Sequence, residues 1–328
     1  MHKGGHLLPK LKIAHMIPKI PVIQGGMAVK VSTGKLAAAV ANAGGIGTIA
    51  GTGLTSNELS AEIQSARQLT QGYIGVNVLF AAKQFSELML TAFREKVDFV
   101  VSGAGFSRDI FQWGQEHNIP VLTIVSSARL AKLAEKLGAA AVVVEGKEAG
   151  GHLGTDRSIT DIVPEVAASV NIPVIAAGGI TDGFDIAKML QLGATGVQMA
   201  TRFVASTECE AHQNFKDQYL TAKAEDVTLI DSPVGLPGRA IRNQFTQTIA
   251  GALRSKIQHC DGCLKHCSAK FCILDALRKA VAGDIQNGLV FSGEFVGRIK
   301  EILPVQEIMN RLVTQLEQAL AGVEPAAN

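Results

Sequence analysis

Two groups of residues in this chain have types and spacings that could do chemistry. The first is the phrase Glu145-Gly146-Lys147-Glu148-Ala149-Gly150-Gly151-His152. An imidazole titrates near neutrality, so His152 can take a proton from a bound molecule or donate one. The flexible pair Gly150-Gly151 would let the ring face a bound molecule; Glu145 could contact that molecule or only cap the loop. The second group is Cys260, Cys263, Cys267 and Cys272, spaced C-x2-C-x3-C-x4-C, with Cys209 standing apart. Thiolates this close can converge on one metal or cluster. Structural zinc usually draws its ligands from two knuckles about a dozen or more residues apart. Four ligands in one short segment therefore suit an iron–sulfur cluster ahead of zinc, with plain reduced thiols as the alternative.

Either chemistry needs a scaffold. The chain repeats one unit: a short β-branched or apolar run, a turn containing Gly or Asn, then a helical stretch. The runs cover residues 21–26, 46–51, 74–79, 99–104, 120–126, 140–146, 173–180 and 196–203, which makes eight. Three are entered through Pro21, Pro120 and Pro173, as expected at the first residue of a strand. The phrases Asn42-Ala43-Gly44-Gly45, Leu137-Gly138-Ala139 and Leu192-Gly193-Ala194 read as helix C-caps. Eight alternating units predict a parallel sheet closed into a (β/α)8 TIM barrel. No G-x-G-x-x-G follows the first run, which counts against an open doubly wound sheet. Past Phe203 the rhythm breaks. Residues 208–224 read as a polar helix and 227–242 as a turn-rich segment wrapping the barrel mouth or its outside; 273–282 and 305–320 read as amphipathic helices. The expected organisation is a barrel over 1–250, with a Cys-containing helical extension over 251–328 packed on it.

In such barrels functional groups sit where strands end. Glycines after the seventh and eighth runs, in Ala176-Ala177-Gly178-Gly179-Ile180 and around Gln198, Ala200 and Thr201, predict a phosphate cradle, because backbone N–H groups can approach closely there. A flat isoalloxazine needs backbone approach on one side, an apolar face and amide groups for its ring edge. Gly25, Gly26, Met27 and Asn77 would supply those.

Taken together, Gln24-Gly25-Gly26-Met27, Gly75-Val76-Asn77, the phrase ending in His152, the Gly178-Gly179 phrase and Gln198-Met199-Ala200-Thr201-Arg202-Phe203 resemble the nitronate monooxygenase (formerly 2-nitropropane dioxygenase) and FabK-type enoyl-ACP reductase family. The resemblance runs from about residue 21 to 242, roughly two thirds of the chain. It implies FMN as the prosthetic group, with Gly25, Gly26, Met27 and Asn77 around the ring, Gly178, Gly179, Ala200 and Thr201 on the phosphate, and Gln198, Glu145, Gly150 and Gly151 close by. It implies oxidation of a small nitronate-like or carbanionic substrate with His152 as base. The alternative is NAD(P)H-dependent reduction of an enoyl thioester, with His152 as proton donor. A non-redox isomerase or lyase using the cradle for a phosphorylated substrate is the rival outside the family. This chain has Ala200 where the family usually has Gly, a change that keeps the backbone N–H. The cysteine segment is not a usual part of the family.

Composition sets the outer limits. A chain of 328 residues with 47% hydrophobic and 18% charged residues suits a large buried core. A net charge of +2 gives no reason to expect nucleic acid or an acidic membrane as partner. Lys3, Lys10, Lys12 and Lys19 precede no apolar signal-peptide region, and no apolar run approaches the roughly 18 residues of a membrane span. The expectation is a cytoplasmic enzyme acting on a small molecule, with a homodimer left open. Asp156 and Arg157 read as surface loop charges. Arg239 and Arg242 are balanced between holding an anionic substrate arm and making ordinary ion pairs.

Overall fold

Strands buried on both faces need continuous apolar sequence, and the eight runs supply it. The computed structural model describes residues 8–251, 257 and 260–323; Lys3 of the N-terminal basic run and both outer ends of the expected 1–250 and 251–328 division lie outside them. In chain order the barrel elements are β1 (Val22–Gln24), α1 (Gly34–Asn42), β2 (Gly47–Ala50), α2 (Ser56–Leu69), β3 (Ile74–Leu79), α3 (Phe85–Arg94), β4 (Phe99–Gly103), α4 (Asp109–His117), β5 (Val121–Val125), α5 (Ala128–Leu137) and β6 (Ala141–Glu145). After β7 (Gly151–His152), which lies outside the barrel sheet, they continue with α6 (Ile159–Ala167), β8 (Val174–Ala177), α7 (Gly183–Gln191), β9 (Gly196–Met199) and α8 (Thr201–Val204). Beyond them come α9 (Gln213–Thr221), β10 (Val227–Asp231), β11 (Pro237–Ile241), α10 (Gln244–Ala250), α11 (Ile273–Val281) and α12 (Val305–Leu320).

Eight strands pair in parallel in the order β1-β9-β8-β6-β5-β4-β3-β2. A parallel bridge between Ile23 and Ile46, with Gln24 N–H on the Ile46 carbonyl at 2.9 Å, joins the first edge to the last. The fold is a (β/α)8 barrel. Gly44, Gly138 and Gly193 all have positive φ (95°, 99° and 101°) at the helix ends where the sequence placed C-caps. The barrel interior is packed with Ile23, Ile46, Phe99, Val101, Leu122, Val143 and Ile175. Its N-terminal end is closed by Leu11, Ile13 and Met16, all 0% exposed, on a tight turn in which Ile13 and Met16 exchange backbone hydrogen bonds at 3.0 and 2.8 Å.

Three expectations change shape. The eighth run stops as a strand at Met199 and becomes α8, so residues 201–203 are helical. The polar helix expected over 208–224 is shorter, because the chain first makes a bridge from Ser206 to Leu303 and starts α9 only after His212, whose Nδ1 accepts from Asn214 N–H at 3.1 Å. The turn-rich segment 227–242 is an antiparallel hairpin. Its turn passes through Gly235 at φ 88°, and β11 pairs with β7. After α11, helix α12 lies against α7 so closely that a Cβ on Gly183 would stand 2.3 Å from the Leu312 carbonyl oxygen; Gly183 N–H donates to Gln315 Oε1 at 3.0 Å.

Candidate active site

At the C-terminal end of β1 the chain must turn sharply, and a buried amide organises the turn. Gln24 is 0% exposed; its Nε2 donates to Ser32 Oγ at 2.8 Å and to the Gly25 carbonyl, and its Oε1 accepts from Thr48 N–H at 3.1 Å. Ser32 Oγ accepts from Met27 N–H at 2.9 Å and donates to the Gly25 carbonyl at 3.1 Å. The Gly25-Gly26-Met27 backbone is thereby fixed against β3: a Cβ on Gly26 would stand 2.5 Å from Asn77 Cβ.

These residues open onto a cavity of about 240 Å³. Gly25, Gly26, Met27, Asn77, Glu145, Gly150, Gly151, His152, Gln198, Ala200 and Thr201 all line it. So the barrel brings strand ends far apart in sequence onto one wall. Gly178 and Gly179 are not in the lining. A Cβ on Gly178 would meet Ala149 N at 3.0 Å, and one on Gly179 would meet Glu148 Cβ and Phe295 at 3.0 Å, so this pair lies under the loop that leads to His152.

His152 stands on β7, which exists only because β11 pairs with it: Gly238 faces His152 and Arg239 faces Gly151. Its Nε2 is 2.8 Å from Ser232 Oγ, and the Phe291 ring meets the imidazole edge-on at 5.2 Å. Burial pushes the imidazole down to about 4, so the ring is neutral at pH 7. Burial pushes the Glu145 carboxyl up to about 8, so it keeps its proton at neutral pH. An acid and a base in one cavity have thus been driven to opposite protonation states, the arrangement in which each can serve proton transfer. Gln198 Oε1 and Ser292 Oγ are buried with no hydrogen-bond partner; both residues line the same cavity.

The loop between Glu145 and His152 is held from outside. Arg239 Nε donates to the Ala149 carbonyl at 3.2 Å and Nη2 to the Lys147 carbonyl at 2.6 Å, while the guanidinium pairs with Glu294 at 3.5 Å. Glu148 accepts from Ser158 Oγ at 2.6 Å and from Ile159 N–H at 3.0 Å. Arg239 is thus a clamp on the glycine loop. Arg242 is exposed. Asp156 and Arg157 are exposed, and Arg157 pairs with Glu165 at 2.5 Å, as a surface position would.

Sequence reasoning missed Gln24, Ser32, Ser232, Arg239 as a loop clamp, and the ring contact of Phe291. Ser232 sits in a Ser-Pro-Val-Gly turn phrase whose spacing marks a turn, but nothing local places it eighty residues back in the chain against His152. Among the cysteines, Cys263 lines the cavity while Cys260, Cys267 and Cys272 do not. Among the described residues no three His, Cys, Asp or Glu side chains stand as a ready-made metal-binding set.

A closed (β/α)8 barrel with a glycine-built cavity and a perturbed acid and base at its C-terminal face defines a barrel enzyme. Comparison with known proteins gives the particular kind. The family model for nitronate monooxygenase matches residues 10–98 and 82–315, and the chain belongs to that family. A probable nitronate monooxygenase of Staphylococcus aureus (strain JH9) is 28% identical, over 91% of this chain and 95% of that protein. FabK from Thermotoga maritima is 34% identical with a TM-score of 0.84, covering 93% of this chain and 95% of that one. Nitroalkane oxidase from Streptomyces ansochromogenes is 26% identical with a TM-score of 0.81, covering 93% and 98%. The chain is an oxidoreductase of this flavoenzyme type. The barrel and the family expected from the sequence are both borne out. Among the described residues no helix is long and apolar enough to cross a membrane.

Proposed function

We propose that this chain is an FMN-dependent oxidoreductase that acts on a small nitronate-like or carbanion-forming substrate, with neutral His152 as the base. The observation that carries the proposal is the imidazole itself: neutral, oriented through Nε2 by Ser232, and on the wall of the cavity that gathers the glycine turns. With Nε2–H donating to Ser232 Oγ, Nδ1 keeps its lone pair and takes the proton from the carbon beside the nitro group.

The residues present fit FMN. Gly151, at φ 79°, would have nothing within 4 Å of an added Cβ, so the backbone faces open space; Gln198 Oε1 is buried without a donor. Gly25, Gly26, Met27, Asn77 and Gln198 would border the ring, Glu145, Gly150 and Gly151 its open side, and Ala200 and Thr201 the phosphate. Gly178 and Gly179 would support the phosphate end through the loop they underlie. When bound, FMN supplies two-electron chemistry and access to oxygen.

A second reading, reduction of an enoyl thioester with NAD(P)H, is favoured by one feature. The extension adds Ile273, Leu274, Leu277, Leu289 and Phe291 to the cavity wall, more apolar surface than a small nitronate needs. In that reading Glu145, protonated below about pH 8, is a better acid at neutral pH than His152. Steady-state assays of the purified chain decide: oxygen consumption with a small nitroalkane supports the first reading, and NAD(P)H oxidation dependent on an enoyl thioester supports the second. Absence of bound FMN, measured by acid release, would sink both. Cytoplasmic location and a homodimeric state belong with these proposals and are tested by fractionation and by light scattering.

A further inference from the structure

The cysteine segment lies at the cavity rim and takes no part in the proton chemistry. From Cys260 to Lys270 no side chain is fully buried; Cys263 and Leu264 pack part-buried on the core of the extension. The segment's backbone is tied to the barrel and hairpin at several points. Lys83 N–H donates to the Cys263 carbonyl at 2.9 Å, Lys265 N–H to the Ala81 carbonyl at 2.9 Å, and Ser268 N–H to the Pro233 carbonyl at 3.1 Å. Leu264 bridges to Ala82 in antiparallel fashion. Asp261 and Arg278 of α11 form an ion pair at 2.5 Å.

Within this strap the same turn occurs twice. Gly262, at φ 59°, donates its N–H to Cys260 Sγ at 3.4 Å; Ala269, at φ 51°, donates its N–H to Cys267 Sγ at 3.4 Å. A left-handed backbone is disfavoured for a residue with a Cβ, so the second turn is held by more than local preference. Backbone N–H groups aimed at a cysteine sulfur are contacts that a cluster-bound sulfur accepts. Cys272 occupies the N-cap of α11, where its side chain makes no capping hydrogen bond.

We propose that Cys260, Cys263, Cys267 and Cys272 bind an iron–sulfur cluster at the rim of the active-site cavity. Four cysteine thiolates are the ligand set of iron–sulfur clusters, and four from one short loop suit a single cluster. Among the described residues the sulfurs are not a preformed set: Cys260 and Cys267 are exposed while Cys263 and Cys272 are half-buried, so the proposed site is completed by metal binding itself. Cys263 lines the same cavity as the residues that would hold FMN. The assignment does not rest on that reading, and FMN is measured separately.

The test is metal and sulfide analysis of the full chain purified without oxygen, with electron paramagnetic resonance after dithionite reduction. About four iron and four acid-labile sulfide per chain, with a signal from the reduced cluster, are expected. Cys260→Ser and Cys267→Ser, both at exposed positions, should cut iron more than tenfold, and Cys209→Ser should leave it unchanged. FMN released by acid from each variant shows whether the barrel has folded. Zinc without sulfide would overturn the iron–sulfur assignment. Four titratable thiols, or disulfides, in a metal-free protein that takes up no iron on anaerobic reconstitution would overturn the site altogether.

Discussion

The two ends of this barrel are built from the same strands and could hardly differ more. At the N-terminal end Leu11, Ile13 and Met16 plug the interior onto Ile23, Ile46 and Phe99, all 0% exposed. At the C-terminal end glycines, amides, a neutral histidine and a protonated glutamate border a cavity, and two buried polar atoms there have no partner. The plug makes the barrel stable and the mouth leaves binding capacity unspent. The contrast implies that substitutions at one end change stability without changing chemistry, and at the other the reverse.

The largest effect should come from the mouth. His152→Ala is expected to lower kcat/KM for a nitroalkane by about 10²–10⁴-fold, with FMN content and thermal midpoint unchanged. A thermal shift as large as the plug variants show would break the comparison. At the opposite end, Leu11→Ala should cost about 2–5 kcal/mol in denaturant unfolding and leave kcat alone. Between them stands Gly26→Ala, whose Cβ would stand 2.5 Å from Asn77 Cβ. Displacing Asn77 should weaken FMN binding about tenfold or more, an effect titration of the apoprotein with FMN would measure. Ser232→Ala should cost about tenfold in kcat, and Ser232→Thr should recover most of it if the hydroxyl only orients Nε2.

The pH dependence sharpens the same contrast. His152 is lowered from 6.5 to about 4 in the folded chain, so the stability it contributes is full above pH 6.5 and is lost as pH falls through about 4. Glu145 is raised from 4.5 to about 8, so its contribution is full below pH 4.5 and is lost as pH rises through about 8. Glu145→Gln should flatten the alkaline side of the stability profile of the apoprotein, and His152→Ala the acid side. Base catalysis by His152 should be independent of pH from about 6 to 7.5. Plug variants should shift the whole stability profile down without changing its shape.

The β/α rhythm was legible because parallel strands buried on both faces must be continuously apolar, and helix ends must place glycine at positive φ. That is why 74–79 and 305–320 read as they fold. The hairpin over β10 and β11 was not legible. Its turn residues outnumber its alternation, and β11 gains its partner only from a two-residue strand that the sequence shows as a glycine loop. The cavity residues were legible as a list because strand ends in a barrel all point to one face. Their partners were not, since Ser232, Arg239 and Phe291 arrive from the extension.

By itself, then, the sequence determined the eightfold repeat, the closed parallel sheet and the glycine-rich strand ends, because each follows from local backbone geometry and burial. Only the tertiary structure decided that His152 is neutral, that Glu145 is protonated, and that Cys263 faces the same cavity. Protonation depends on which groups exclude water from a side chain. That exclusion is set by chain segments distant in sequence, brought over the mouth only when the whole barrel has closed.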